Sequence, residues 1–596
     1  MFQVPDVREA TQAATGPVGA AAVFRDGMRM LWDVVIEADD GLVLRADVFL
    51  PAEPGRYPVL ISYGPYAKGL PFQTGYPTAW ASLSSGHPDV TAGSTNAYQN
   101  WEVVDPEKWT RDGYAIVRVD SRGCGRSPGR IDHFSARETA DFVQCIEWAA
   151  DQPWSTGRVG TSGVSYFGMN QWQVAAARPR GLAAMCVWEG ASDFYRDASH
   201  HGGILSTFWQ HWFDKQIKIV QYGLGERGPR NTINGLLVCG DETLGDDELA
   251  ANRVDFGAEI AAHPLLDGYH RERTAQWSAI EVPLLSAGNW GGAGLHLRGN
   301  IEGFLQAGST LKWLELHGLE HWTTYYTDYG RELQRQFFDC FLKDEDNGWR
   351  ERPPVIVQAR HVDGTFTERS ETSWPPPTTQ WQCAYLDAHT MILNPAPVGE
   401  SRVSYGAESD GVTFHLPAQN RTVELLGPVA ARLWVSTLAE DADLFLTLRV
   451  FDPDGQEISF VGAVDPHSPA SMGWLRLSHR ELDEQASRPW RPMHPHRTQL
   501  TSMPGEIYAV DVEIWPTSVV LPPGYTLALT VAGRDYENRS LAPVTMSNFK
   551  NTMTGCGPFL HDDPLDRPLA RATSTVTLHC GQATPSHLRL PWASEE

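Results

Sequence analysis

The chain has 596 residues and a mass of 66.1 kDa, enough for about two to four folding units. Its net charge of −25 excludes a nucleic-acid binder and adhesion to anionic membrane, because both need a basic face. The 22 Trp, 18 Tyr and 22 Phe exclude disorder over the bulk.

Residues 1–27 are mostly small and polar and are expected to form a loose arm. LWDVVIEADDGLVLRADVFLP (31–51) alternates apolar and polar around Asp-Asp-Gly, the pattern of a β-hairpin. YPVLISYGPY (57–66) reads as a buried strand entering a loop, and 67–105 as a long Gly/Pro/Ser/Thr-rich excursion. YAIVRVDSRGCGRS (114–127) is a second buried strand with a Gly-rich turn. SARETADFVQCIEWAA (135–150) is helical, with Ser135 and Glu138 spaced as a capping box and Ala140, Val143, Ile146 and Trp148 on its apolar face. RVGTSG then leads through a sharp turn into the helix of VSYFGMNQWQVAAA, and LAAMCVWEG (182–190) is the next strand.

Residues 195–275 are polar with helical stretches and paired Trp, and are expected to form an inserted cap. Trp209 and Trp212 are candidates to line its pocket. VPLLSAG (282–288), LKWLELHG (311–318) and the helix GRELQRQFFDCFLKD (330–344) complete a strand–helix alternation, which implies a largely parallel sheet. From about 352 the texture becomes short alternating strands between Pro/Gly turns, such as VIVQAR and LFLTLRVFD, the signature of an all-β sandwich or jelly roll. The expected organisation is an arm over 1–27, an α/β domain over 28–350 and a β jelly roll over 351–596.

The eight cysteines are scattered with no C-x-x-C pair, so neither a zinc ribbon nor a redox motif is suggested. The first residues, MFQVPDVREATQ, carry charges and no apolar core, and no run of about eighteen apolar residues occurs anywhere. A soluble cytoplasmic protein with free thiols is expected.

The sharpest motif is Gly163-Val164-Ser165-Tyr166-Phe167-Gly168. It is a variant of G-x-S-x-G in which the second glycine falls one place late. A serine on a tight strand-to-helix turn projects its hydroxyl above the sheet, and small residues let strand and helix approach. Ser162 is a weaker rival, still inside the strand. The serine needs a base, in this kind of fold a His after the last strand. His321 fits, 156 residues on, whereas His317 sits closer to the strand end, where a hydrogen-bonding role suits it better.

DGLVLRADVFLP, GPYAKG, DSRGCGRSPG, GVSYFGMNQW, the His after the last strand and GPVAARLWVSTLAEDADLFLTLRVFDPDG together resemble the cocaine-esterase / X-Pro dipeptidyl-peptidase family of α/β-hydrolases over about residues 28–580. The resemblance implies an α/β-hydrolase fold with an inserted helical cap, followed by a galactose-binding-like jelly roll near the active-site mouth. It implies a serine hydrolase with Ser165 as nucleophile and His321 as base. The Tyr166 N–H and the Tyr66 hydroxyl would be the oxyanion donors, and no metal or organic cofactor is needed. The family's acid follows the strand matched by VPLLSAG, but here Gly288-Asn289-Trp290-Gly291-Gly292 leaves Gly291 in its place. Glu189, at the end of the neighbouring strand, is the favoured substitute and Asp193 the reserve.

Other readings remain open. His317-Gly318-Leu319-Glu320-His321 fits H-x-x-E-H of a zinc peptidase, but that motif needs a helix. His200-His201, His494-Pro495-His496 and the Asp441–Asp454 group are expected to be solvated loop residues rather than metal sites. A non-catalytic binding module with a degenerate triad is the alternative of a different class. The favoured expectation is an esterase acting through an acyl-enzyme on a small ester, amide or short peptide, with an X-Pro dipeptidyl-peptidase as its rival. Exposed jelly-roll edges suit a homodimer.

Overall fold

The computed structural model describes residues 22–593 except Thr573, so most of the expected arm lies outside the described residues. The arm's last residues are not loose: Val23–Arg25 form strand β1, paired antiparallel with β2 (Met28–Glu37). The expected hairpin is β2 with β3 (Val43–Pro51), with a bulge between Leu31 and Val34. β4 (Tyr57–Gly64), β5 (Ala115–Asp120), β6 (Ser155–Val164) and β7 (Leu182–Trp188) follow. The cap holds the two-residue strands β8 (His200–His201) and β9 (Ile204–Leu205). β10 (Leu284–Asn289), β11 (Lys312–His317), β12 (Val355–Arg360) and β13 (Phe366–Glu371) complete the first half of the chain.

Apart from β8 and β9, these strands form one eleven-stranded sheet in the order β1-β2-β3-β5-β4-β6-β7-β10-β11-β12-β13. The run from β5 through β4 to β12 is parallel. The chain steps from β4 to β5 on one side and then to β6 on the other. This reversal opens a crevice at the carboxyl ends of the strands, where α/β sheets bind their ligands.

The first sheet continues past residue 350. VIVQAR is β12, hydrogen-bonded in parallel to β11, and β13 closes the same sheet, so the first sheet runs to Glu371. The helix Ala136–Asp151 forms with Ser135 as its cap, but buries Phe142, Cys145, Ile146 and Ala149 rather than the whole expected face.

The second sheet has twelve strands and lies beyond residue 380. Its long strand Val423–Thr437 pairs with Tyr508–Leu521, Thr575–Cys580 and His587–Trp592, and the last of these pairings closes the sheet on itself as a barrel. A core of Leu433, Leu444, Leu446, Val512 and Leu529 fills it. The two halves meet over the cap. His200, His201, His494 and His496 are buried there instead of solvated, with His201 Nδ1 2.7 Å from His561 Nε2 and His479 Nδ1 2.9 Å from His496 Nδ1.

Candidate active site

β6 ends at Val164, and Ser165 turns the chain directly into the helix Tyr166–Ala176. Ser165 has φ 56° and ψ −115°, a strained conformation that turns its side chain away from both elements. The glycines around it are fixed by close approach. A Cβ on Gly163 would lie 2.3 Å from the Phe167 Cβ. One on Gly168 would lie 2.8 Å from the Trp188 carbonyl oxygen, and one on Gly190 would lie 2.8 Å from the Gly168 carbonyl carbon. The second glycine falls late because the helix touches the end of β7 at position 168. Ser162 remains inside β6, its hydroxyl within 3.0 Å of the Tyr325 hydroxyl.

Ser165 Oγ lies within hydrogen-bond distance of His296 Nε2, at 3.1 Å. This differs from the expected Ser165–His321 bond. His321 follows β11 as anticipated, but both its nitrogens are occupied: Nδ1 lies 2.9 Å from Glu189 Oε2, and Nε2 lies 2.8 Å from Glu102 Oε1. The His296 and His321 rings stack, 5.0 Å between centroids and 11° apart in plane.

Glu189 stands at the end of β7 and links two imidazoles. Its Oε1 accepts from His317 Nε2 at 3.1 Å and from Asn289 Nδ2 at 3.2 Å. His317 Nδ1 lies 2.6 Å from Glu315 Oε2. The result is a buried chain of alternating carboxylates and imidazoles, Glu315–His317–Glu189–His321–Glu102, beside the serine. Burial alone would raise the Glu189 carboxyl, but the charge on His321 and the bonds from both histidines outweigh it and bring it down to about 2. Burial alone would lower His321, but Glu189 and Glu102 outweigh it and raise it to about 10. His317 rises to about 9 against burial through Glu315 and Glu189. Burial lifts Glu102 to about 7 despite its bond to His321. Burial, then the charge on His321, pushes His296 well below the usual imidazole range.

The missing acid has a steric reason. A Cβ at Gly291 would lie 2.4 Å from the Gly462 Cα and 2.7 Å from the Ala463 nitrogen. Ala463 N–H donates to the Gly291 carbonyl at 3.0 Å, and the His321 N–H donates to the Ala463 carbonyl at 2.8 Å. A loop of the β domain fills the space where an aspartate side chain would stand. Asp193, the reserve acid, instead caps its own turn and pairs with Arg196 at 2.7 Å, with no bond to His321. His317-Gly318-Leu319-Glu320-His321 is a strand end and loop, and Glu320 turns to Ser82 and Thr323, so the helical zinc motif does not form.

Tyr66 lines the same cavity as Ser165, His296, His321 and Glu102. Its hydroxyl oxygen accepts from Trp212 Nε1 at 3.1 Å and has the Ser165 hydroxyl as a second hydrogen-bond neighbour. The Tyr166 N–H is at the start of its helix, where no intrahelical acceptor exists. The Tyr166 side chain points away, to Glu138 at 2.6 Å and His133 at 3.0 Å. The cap contributes Phe208 and Trp212 to the cavity, and the β domain contributes Ala463, Val464, Phe549 and Phe559. Trp209 binds the Ala198 carbonyl instead.

Sequence reasoning missed His296 and Glu102. His296 lies seven residues past β10, in the Gly-rich loop that already lacked the expected acid, so the catalytic edge was the available signal. Glu102 lies in the long excursion with φ 62°, its carbonyl accepting from Val164 N–H at 3.0 Å. No local pattern marked it.

The X-Pro dipeptidyl-peptidase (S15) family matches residues 40–323, and the C-terminal non-catalytic domain of X-Pro dipeptidyl-peptidases matches residues 347–589. A CocE/NonD family hydrolase from Staphylococcus aureus is 31% identical in sequence, with a TM-score of 0.80 over 95% of this chain and 94% of its own. The chain belongs to the cocaine-esterase / X-Pro dipeptidyl-peptidase family. Within that family the cocaine esterase of Rhodococcus sp. (strain MB1 Bresler) is 25% identical over 94% of this chain and 98% of its own. An aminopeptidase from a marine sediment archaeon, 15% identical with a TM-score of 0.69, shares the fold. Membership makes this protein a serine hydrolase, esterase or peptidase, with an α/β-hydrolase domain and a β-rich C-terminal domain. No described helix is long and apolar enough to cross a membrane.

Proposed function

We propose that the protein is an esterase in which Ser165 attacks the substrate carbonyl while His296 Nε2 takes its proton. The observation that carries this reading is the 3.1 Å hydrogen bond from Ser165 Oγ to His296 Nε2 on a strained strand-to-helix turn. The Tyr166 N–H and the Tyr66 hydroxyl receive the developing oxyanion, each donor contributing about 3 kcal/mol to the transition state. The His296 imidazolium then protonates the leaving group, and water resolves the acyl-enzyme by the reverse path. His321 is held on both nitrogens by carboxylates that raise its pKa, so neither nitrogen is open to the serine while those bonds last. Glu189 and Glu102 offset the positive charge that His296 acquires.

A second reading gives His321 the role of base and Glu189 that of acid. It is favoured by the 2.9 Å contact between Glu189 Oε2 and His321 Nδ1 and by the position of His321 after β11. It requires Glu102 to release Nε2 first.

The substrate is a small ester, amide or short peptide taken into the cavity between cap and β domain, whose jelly-roll, galactose-binding-like character belongs to this reading. The eight free cysteines suit the cytoplasm. An esterase is preferred because no motif identifies a clamp for a free α-amine. A hydrolysis screen over p-nitrophenyl esters, amino-acid esters and Xaa-Pro amides tests the choice. Esters are expected to turn over fastest, and exclusive release of Xaa-Pro dipeptides would overturn it. A folded protein that no fluorophosphonate labels would be a binding module instead.

A further inference from the structure

The neutral imidazole of His296 has an unusual problem. To accept from Ser165, its Nε2 must be bare, so the ring proton sits on Nδ1. That Nδ1 is buried and has no hydrogen-bond partner. Buried donors are ordinarily paired, and an orphaned one asks what could replace its proton.

The surroundings supply an answer. Glu189, His296 and His321 each offer one ligand atom, all within 4.8 Å of one another and all buried. Two imidazole nitrogens and one carboxylate oxygen are a donor set that zinc-class divalent cations favour. Zinc bonds of about 2.0–2.1 Å in a tetrahedron place ligand atoms about 3.4 Å apart, so binding must draw the ligand atoms closer and turn the stacked His296 and His321 rings toward one point. The outer shell is already built. His321 Nε2 is on Glu102, the other Glu189 oxygen is on His317 and Asn289, and His296 Nε2 is on Ser165. Metal-ligating histidines characteristically carry such a partner on the second nitrogen.

We propose that Glu189, His296 and His321 form a reversible inhibitory site for a divalent zinc-class cation, bound through His296 Nδ1, His321 Nδ1 and the Glu189 carboxylate. The cation displaces two protons from its ligand atoms: the orphaned one on His296 Nδ1 shifts to Nε2 of the same ring, and the one between His321 Nδ1 and Glu189 Oε2 passes to solvent. Metallation of Nδ1 leaves the remaining ring proton of His296 on Nε2. Nε2 then donates to Ser165 Oγ instead of accepting from it, so the serine loses its base. The fourth position is left for water. The cation is a switch on the serine chemistry and takes no part in it. The binding claim stands on the three ligands alone, whereas the inhibition claim rests on the proposed role of His296.

Calorimetric titration of the full-length, chelator-treated protein with Zn²⁺ tests it. One saturable site per chain is expected. His296→Asn should weaken it about 100-fold, and Ser165→Ala should bind within a few-fold of the unmodified protein. Co²⁺ added to the unmodified protein should give the visible ligand-field bands of a tetrahedral centre, lost on adding Zn²⁺, a readout that needs no variant. Fluorophosphonate labelling of Ser165 should fall as Zn²⁺ occupancy rises and recover with EDTA. No saturable site, or equal affinity in a folded His296→Asn protein, would overturn the proposal. A protein that binds Zn²⁺ as described but never labels would refute the serine mechanism and leave the metal site standing.

Discussion

Ser165 Oγ and His296 Nε2 are 3.1 Å apart, and they come from opposite sides of the sheet's catalytic edge, the ends of β6 and the loop after β10. β7 lies between those strands and is followed directly by Glu189, which holds His321 against the back of the His296 ring. One serine is thus backed by two stacked imidazoles and two carboxylates, a denser arrangement than one base and one acid.

Replacing Glu189 with Gln should unfold the protein more easily and not merely slow it. The substitution leaves the His317 and His321 cations buried without their shared counter-charge. Breaking a buried pair in this way costs about 3–5 kcal/mol. Chemical denaturation with an unchanged slope checks it; a midpoint equal to that of the unmodified protein would show the buried chain contributes no stability.

Tyr66→Phe removes one oxyanion donor and leaves the ring packing intact. We expect kcat to fall about 100-fold with KM nearly constant, because the bond strengthens only in the transition state. Steady-state kinetics on the best ester distinguish this from a binding defect, which would raise KM instead.

Gly291→Asp puts back the side chain that the family's pattern has at this place. It should lower stability by about 1–3 kcal/mol and give no gain in activity. The new Cβ meets the Gly462 backbone at 2.4 Å, so the loop carrying Ala463 must retreat and release the His321 N–H. A variant more active than the parent, at undiminished melting temperature, would contradict the steric account.

Acid should loosen the seam between cap and β domain. Burial lowers His201 to about 3, helped by His561, His270 to about 4, and His479 to about 3, helped by Arg476. These rings are neutral when folded and take up protons more readily once unfolded. Their contribution is therefore whole above about pH 6.5 and is lost as pH falls toward 3–4. Melting temperatures should decline steadily below about pH 6.5, and a flat profile down to pH 4 would show that these histidines are not the acid-labile element.

What the sequence revealed depends on whether the signal was local. The serine turn was legible because its geometry demands glycines at fixed offsets around Ser165. Glu189 could be chosen because parallel strands present their carboxyl ends together. Gly291 was visible as an absence, but its cause, the Gly462–Ala463 backbone, lies about 170 residues away and is purely tertiary. Glu102 and His296 sit in loops with no periodicity, so only the fold brings them to the serine. VIVQAR could not be placed from sequence because β12 carries the same apolar run as a barrel strand, and only pairing with β11 assigns it to the first sheet.

Timed fluorophosphonate labelling of the folded protein, with the labelled residue read by mass spectrometry, tests the central claim most directly. The account predicts modification at Ser165 alone, none in Ser165→Ala, a rate about 1,000-fold lower in His296→Asn, and a rate within about tenfold of the parent in His321→Asn. A His296→Asn protein that labels as fast as the parent, while His321→Asn is as inert as Ser165→Ala, would contradict it.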